Sequence, residues 1–149
     1  MIAVVQRCQE ASVQVDAIQV GAIGKGYLVL LGVETGDADD DLAWLADKIA
    51  VLRLFPDAQG KMNLDVREAG GGILCVSQFT LLADCAKGRR PGFQRSEDPA
   101  RAKEMWERFC ERLAHTGLAV ERGVFAADMK VALINDGPVT IVLDSRRRL

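Results

Sequence analysis

The chain opens on Ile2-Ala3-Val4-Val5-Gln6-Arg7-Cys8 and continues with Ser12-Val13-Gln14-Val15, β-branched and partly alternating stretches of the kind that form half-buried strands. Gly21, Gly24 and Gly26 punctuate the next stretch, and Tyr27 to Val33 is apolar on both faces. These runs predict a β-meander whose central strand is fully covered. From Asp37 the period changes. Leu42, Leu45, Ile49 and Leu52 recur at steps of three and four, which places them on one stripe of a helix. Asp37, Asp39, Asp40 and Asp41 crowd its start, with Lys48 and Arg53 towards its end, so the charges match the helix dipole. The acidic run reads as a solvated first turn, because no further ligands come at the spacing of a cation-binding loop.

Pro56-Asp57-Ala58-Gln59-Gly60 reads as a turn, and Ala69 to Gly72 as a flexible lead into the strand Ile73-Leu74-Cys75-Val76. A second helix begins at Asp98-Pro99, with Asp as N-cap and Pro in the first helical position. It turns Ala102, Met105, Trp106, Phe109 and Leu113 inward and stops at Gly117. Two last strands are predicted, Met129 to Ile134 and Val139 to Leu143, separated by a turn at Asn135-Asp136-Gly137-Pro138. No repeat or linker interrupts the order, which indicates one α+β domain over 1–149: a mainly antiparallel β-sheet or barrel flanked by two helices. No GxGxxG or P-loop joins a strand to a helix, which disfavours a doubly wound nucleotide fold.

Composition narrows the function. The 149 residues are 49% hydrophobic and 27% charged, ordinary for a globular domain. The longest apolar run falls far short of the roughly 20 residues a bilayer span needs, and Arg7 and Glu10 break the opening segment, so a cytoplasmic protein is expected. Nineteen basic against 21 acidic residues give a net charge of -2; any RNA contact must therefore come from a local patch. Cys8, Cys75, Cys85 and Cys110 form no CxxC pair and sit among apolar neighbours, as reduced core thiols do. One histidine, His115, leaves no Cys/His cluster for zinc, and neither a metal nor another cofactor is expected. His115 itself falls at the end of the second helix, where its charge would complement the dipole.

Three segments carry candidate chemistry. Ser77-Gln78-Phe79-Thr80-Leu81 brings two hydroxyls, an amide and several backbone N–H groups to the end of a rigid strand. The same hydroxyls would equally serve to satisfy local backbone groups. Gly137-Pro138 carries an X-Pro bond, whose trans preference is only about 0.5–1 kcal/mol. Lys87, Arg89 and Arg90, with Arg95 shortly after, form a basic loop that is either a solvated charge run or a set of phosphate contacts; Arg146 to Arg148 raise the same question.

SQFTL at 77 to 81 and NDGPVT at 135 to 140, with the opening MIAVVQR, GKMNL at 60 to 64 and FAADM at 125 to 129, strongly resemble the D-aminoacyl-tRNA deacylase family. The resemblance runs in order over nearly the whole chain, and Asp144 to Leu149 looks like a short basic extension beyond the family's usual last strand. It implies an enzyme that hydrolyses the ester linking a D-amino acid, or glycine on a non-cognate tRNA, to the terminal ribose. It further implies a homodimer with the active site at its interface. There a cis Gly137-Pro138 pair reaches into the partner's pocket, gripping the amino group and leaving no space for an L side chain. By the same resemblance Arg7 holds that loop, Ser77, Gln78, Phe79 and Thr80 surround the scissile carbonyl, and Met129 helps bind the substrate. Lys87, Arg89 and Arg90 become plausible tRNA contacts. Two other readings stay open at this point: an esterase using Thr80 as nucleophile, and a non-catalytic RNA-binding module.

Overall fold

The computed structural model describes residues 1–148; Leu149, the last residue of the basic extension, lies outside the described residues. The first strand is β1 (Ile2–Val15), one continuous element where two short strands were expected. Strands β2 (Ile18–Ile23) and β3 (Gly26–Gly32) come next, and both pair antiparallel with β1. The order is therefore β2-β1-β3, and not that of a meander, in which β3 would lie against β2. A strand of 14 residues is long enough to serve two partners along one edge: β3 takes Ile2 to Cys8 and β2 takes Ala11 to Val15. As its apolar run predicts, β3 is covered on both faces; Leu30 alone is half-buried.

After β3 come the helix α1 (Asp39–Ala50), the small hairpin β4 (Phe55–Pro56) and β5 (Met62–Leu64), and then β6 (Gly72–Ser77). Because this crossover is long, β6 returns parallel to β3. A second crossover carries the 3-10 turn Phe79–Leu82 and the helix α2 (Pro99–His115), and β7 (Val120–Arg122) lies parallel to β6. The sheet is thus mixed. It curls towards closure: a Cβ on Gly21 of β2 would stand 2.8 Å from the Arg122 carbonyl of β7, so only glycine lets these two strands approach. Both helices pack against one core with the inner residues of β1, β3 and β6. The α2 stripe of Met105, Trp106, Phe109, Cys110 and Leu113 is buried there, and the Asp98 side chain caps the helix by accepting from Ala100 N at 3.0 Å.

The last element corrects a further expectation. Lys130 to Asp144 form one strand, β8, antiparallel to β1 along nearly its whole length, and no hairpin turn lies at 135–138. Asn-Asp-Gly-Pro carries turn signals, yet the residues on both sides find the same neighbour, so the segment becomes a bulge, with register shifts opposite Gln6, Cys8 and Glu10. Asn135 bridges it: its Nδ2 donates to Gln6 Oε1 at 2.7 Å and its Oδ1 accepts from Val139 N at 3.1 Å.

Two charge readings also change. Asp37 is not solvated; it is fully buried before α1, accepts from Glu34 N at 2.6 Å and pairs with the Met1 amine at 2.7 Å. Among the cysteines, Cys8, Cys75 and Cys110 are buried free thiols, but Cys85 is exposed because it lies in the irregular chain after the 3-10 turn. Burial pushes the Cys8 and Cys75 thiols above the ordinary range, which keeps them protonated and unreactive.

Candidate active site

The apolar residues Ile73 to Val76 anchor β6 in the core, and the strand delivers Ser77 at its end. Gln78 N–H donates to the Leu31 carbonyl at 2.7 Å, extending the β3 edge by one bond, and the backbone then tightens into the 3-10 turn. The first bond of that turn runs from Leu81 N to the Gln78 carbonyl at 3.2 Å. The N–H groups of Phe79 and Thr80 come before it, where a helical turn leaves donors without internal partners. The Gln78 amide donates to Thr80 Oγ1. Phe79 is 56% exposed and sets its ring against Phe93 in an edge arrangement, with centroids 5.0 Å apart.

Beside this turn is a cavity of about 710 Å³, lined among others by Ser77, Gln78, Phe79, Phe93, Trp106 and Met129. Four sequence-predicted residues therefore meet on one cavity: Ser77, Gln78, Phe79 and Met129. Thr80 is exposed next to it and is linked to it through Gln78. The aromatic walls suit a flat or apolar group, and Glu97 and Asp98 add carboxylates to the lining.

Arg7, Gly137 and Pro138 gather elsewhere, at the β8 bulge. The Arg7 side chain extends from β1 with 10% exposure; its Nε donates to the Asp136 carbonyl at 3.1 Å and pairs with Asp136 Oδ2 at 3.3 Å. Its Nη1 donates to the Leu54 carbonyl, which ties the bulge to the chain after α1. Gly137 has φ +118, and a Cβ there would fall 2.6 Å from Arg7 Nη2, so the position needs glycine both for its backbone and for the arginine beside it. The Gly137-Pro138 bond is cis, and both residues are exposed. Neither lines the cavity of its own chain.

The basic groups divide. Lys87, Arg89 and Arg90 stand exposed on the loop closed by the Asp84–Gly92 bridge, just after the 3-10 turn. Arg95, Arg146 and Arg148 are exposed too, but all three bind acidic side chains of the fold. Arg95 Nε meets Glu34 Oε1 at 2.9 Å, Arg146 Nη2 meets Asp37 Oδ1 at 2.9 Å, and Arg148 Nε meets Asp144 Oδ2 at 2.6 Å. Arg147 lies over Trp44, 5.6 Å from the ring centroid. Sequence reasoning missed Glu34, which is only 5% exposed, although a carboxylate placed directly after a strand apolar on both faces is a visible signal that a counter-charge must come from elsewhere. Hydrogen bonds from Arg148 and then Arg95 hold its pKa down, to about 2. His115 is exposed at the end of α2, with Nδ1 2.7 Å from the Glu111 carbonyl.

The mixed sheet curling beside two helices defines a small α+β class of protein, with a strand-end cavity lined by hydroxyl and amide groups. The family model for D-Tyr-tRNA(Tyr) deacylase matches residues 4–144. The chain is 57% identical over 148 residues to a D-aminoacyl-tRNA deacylase of Geobacter sulfurreducens, covering 99% of this chain and 97% of that protein. It is 58% identical over 147 residues to one of Anaeromyxobacter dehalogenans, covering 99% of both. A solved structure titled c-Myc DNA Unwinding Element Binding Protein superposes with a TM-score of 0.91 at 42% identity, over 97% of this chain and 98% of that one. Another, titled as a probable eukaryotic D-amino acid tRNA deacylase, shares the fold with a TM-score of 0.79 at 18% identity, over 96% and 98%. The chain belongs to the D-aminoacyl-tRNA deacylase family, which is a family of hydrolases.

Proposed function

We propose that this protein hydrolyses the ester of D-aminoacyl-tRNA, and of tRNA mischarged with glycine, and that it does so as a homodimer in which the β8 bulge of one copy faces the cavity of the other. One observation carries the reading: Arg7 holds the bulge through two contacts to Asp136 and ties it to the Leu54 carbonyl, yet Gly137 and Pro138 are exposed and lie outside their own chain's cavity. A rigid, outward-facing backbone segment is suited to act on something that comes to it. Carbonyl oxygens on such a segment accept from the substrate's ammonium group. They also occupy the space an L side chain would need, so rejection rests on a clash and requires no recognition of each D side chain. The result is broad range with strict handedness.

The chemistry is acyl transfer to water. Negative charge develops on the carbonyl oxygen, and the N–H groups of Phe79 and Thr80 are placed to receive it, a contribution of about 3–4 kcal/mol per donor. Thr80 orients and does not attack. Its oxygen already accepts from Gln78, and the single imidazole is engaged at the far end of α2. The neighbouring 2′-hydroxyl of the terminal ribose assists the water. Lys87, Arg89 and Arg90 meet phosphates of the tRNA end, and the enzyme works in the cytoplasm, where charged tRNA is used. The direct test is hydrolysis of matched D- and L-aminoacyl-tRNA by the purified protein. Rapid loss of the D ester with the L ester intact is expected; equal rates contradict chiral selection.

A further inference from the structure

The cavity wall from Phe93 to Asp98 belongs to neither a helix nor the main sheet, so something else must fix it. It is laced to the chain that leaves β3: Thr35 N–H donates to the Arg95 carbonyl at 2.9 Å, Glu97 N–H to the Val33 carbonyl at 3.1 Å, and the Thr35 hydroxyl to the Ser96 carbonyl at 3.0 Å. Glu34 sits at the centre of this lacing and forms a bridge with Ser96. A carboxylate with 5% exposure is costly unless paired, and its pairs come from two directions. Arg95 of the wall reaches Oε1 at 2.9 Å; Arg148 reaches Oε1 through Nη1 at 3.1 Å and Oε2 through Nη2. The same guanidinium grips Asp144, the last residue of β8, at 2.6 Å. Arg146 closes the cluster on Asp37 and on the Thr35 carbonyl, both at 2.9 Å. Guanidinium is matched to carboxylate throughout, Arg95 and Arg148 with Glu34 and Asp144, Arg146 with Asp37.

We propose that Glu34 and Arg148 are positioning residues for deacylation: together they lock the Phe93–Asp98 wall against the ends of β3 and β8 and so set the shape of the substrate cavity. Arg146 and Arg148 act through this wall, and their charges, already paired with Asp37, Glu34 and Asp144, do not contact RNA phosphates. The inference rests on the reading of the cavity as the deacylation site. It assigns the arginines a role opposite to that of the exposed Lys87, Arg89 and Arg90.

The test uses the full chain and the variants Arg148→Ala, Arg148→Lys and Glu34→Gln. KM and kcat for D-aminoacyl-tRNA are measured across a salt series, and amide hydrogen exchange is followed at Thr35 and Glu97. Arg148→Ala should raise KM about fivefold or more with kcat held within about twofold, because the wall binds substrate but carries no reacting group. It should speed exchange at Thr35 and Glu97 while leaving β1 unchanged. Arg148→Lys, which keeps one ion pair, should recover most of both effects, and Glu34→Gln should fall between. If the alanine variant does not fold, the lysine and glutamine variants carry the same ordering. Unchanged exchange at both amides overturns the proposal. So does a salt dependence of KM that loses about one unit of log–log slope in Arg148→Ala, the mark of a lost phosphate contact. If the wild-type protein fails to hydrolyse D-aminoacyl-tRNA, the functional reading falls, while the exchange data still decide whether the lock exists.

Discussion

Ser77 to Thr80 and Asn135 to Thr140 are both short polar runs that interrupt apolar strands, and the fold uses them in opposite ways. The first ends its strand, tightens into a 3-10 turn and lines a cavity within its own chain. The second stays inside its strand as a bulge, is held by Arg7 and points Gly137 and Pro138 outward. The difference lies in what flanks each run. After Ser77 the chain leaves the sheet, so its hydroxyl, amide and N–H groups can face a ligand; at 135–140 the chain continues along β1, and Asn135, Arg7 and Asp136 satisfy the polar groups locally. In the proposed function one segment receives the substrate and the other is the fixed piece presented to it by a second copy.

Removing the support of the bulge should have the largest effect. Arg7→Ala deletes the bonds to Asp136 and Leu54 from a nearly buried position, so unfolding stability should drop by about 2–4 kcal/mol in denaturant titrations, with the D-over-L rate ratio falling at least tenfold. Retained selectivity would show that Arg7 does not hold the bulge. On the cavity side, Thr80→Val should slow hydrolysis of the D ester by no more than about tenfold, since an orienting hydroxyl contributes on the order of 1.4 kcal/mol. A loss of about 10⁴-fold or more in single-turnover rate would instead make Thr80 the nucleophile. The smallest change is expected in the loop beside the cavity: each of Lys87→Ala, Arg89→Ala and Arg90→Ala should lower the log–log salt dependence of tRNA binding by about one unit without altering the D-over-L ratio.

Much of this was legible in the residues. The three- and four-residue periods located both helices, and Asp98-Pro99 and Gly117 located the ends of α2, because these signals act within a turn or two of chain. The motifs at 77–81 and 125–129 marked the cavity through Ser77, Gln78, Phe79 and Met129. What stayed hidden depends on partners remote in sequence. Local turn signals at 135–138 gave no hint that both flanks would pair with β1, and nothing in β6 announces that its neighbours run parallel. Arg146 and Arg148 read as a free basic patch until Glu34, Asp37 and Asp144 are brought beside them. Asp37 read as solvated for the same reason.

The central claim, that the bulge of one copy completes the cavity of another, is tested most directly by mixing two variants after joint unfolding and refolding: Gln78→Ala, with a damaged cavity, and Arg7→Ala, with a damaged bulge. Random pairing makes half the dimers mixed, and each mixed dimer then holds one site built from two intact halves, so deacylation of D-aminoacyl-tRNA should return to about a quarter of the wild-type rate. A mixture no more active than the sum of its two separate variants would show that each site is made within a single chain, and would contradict the account.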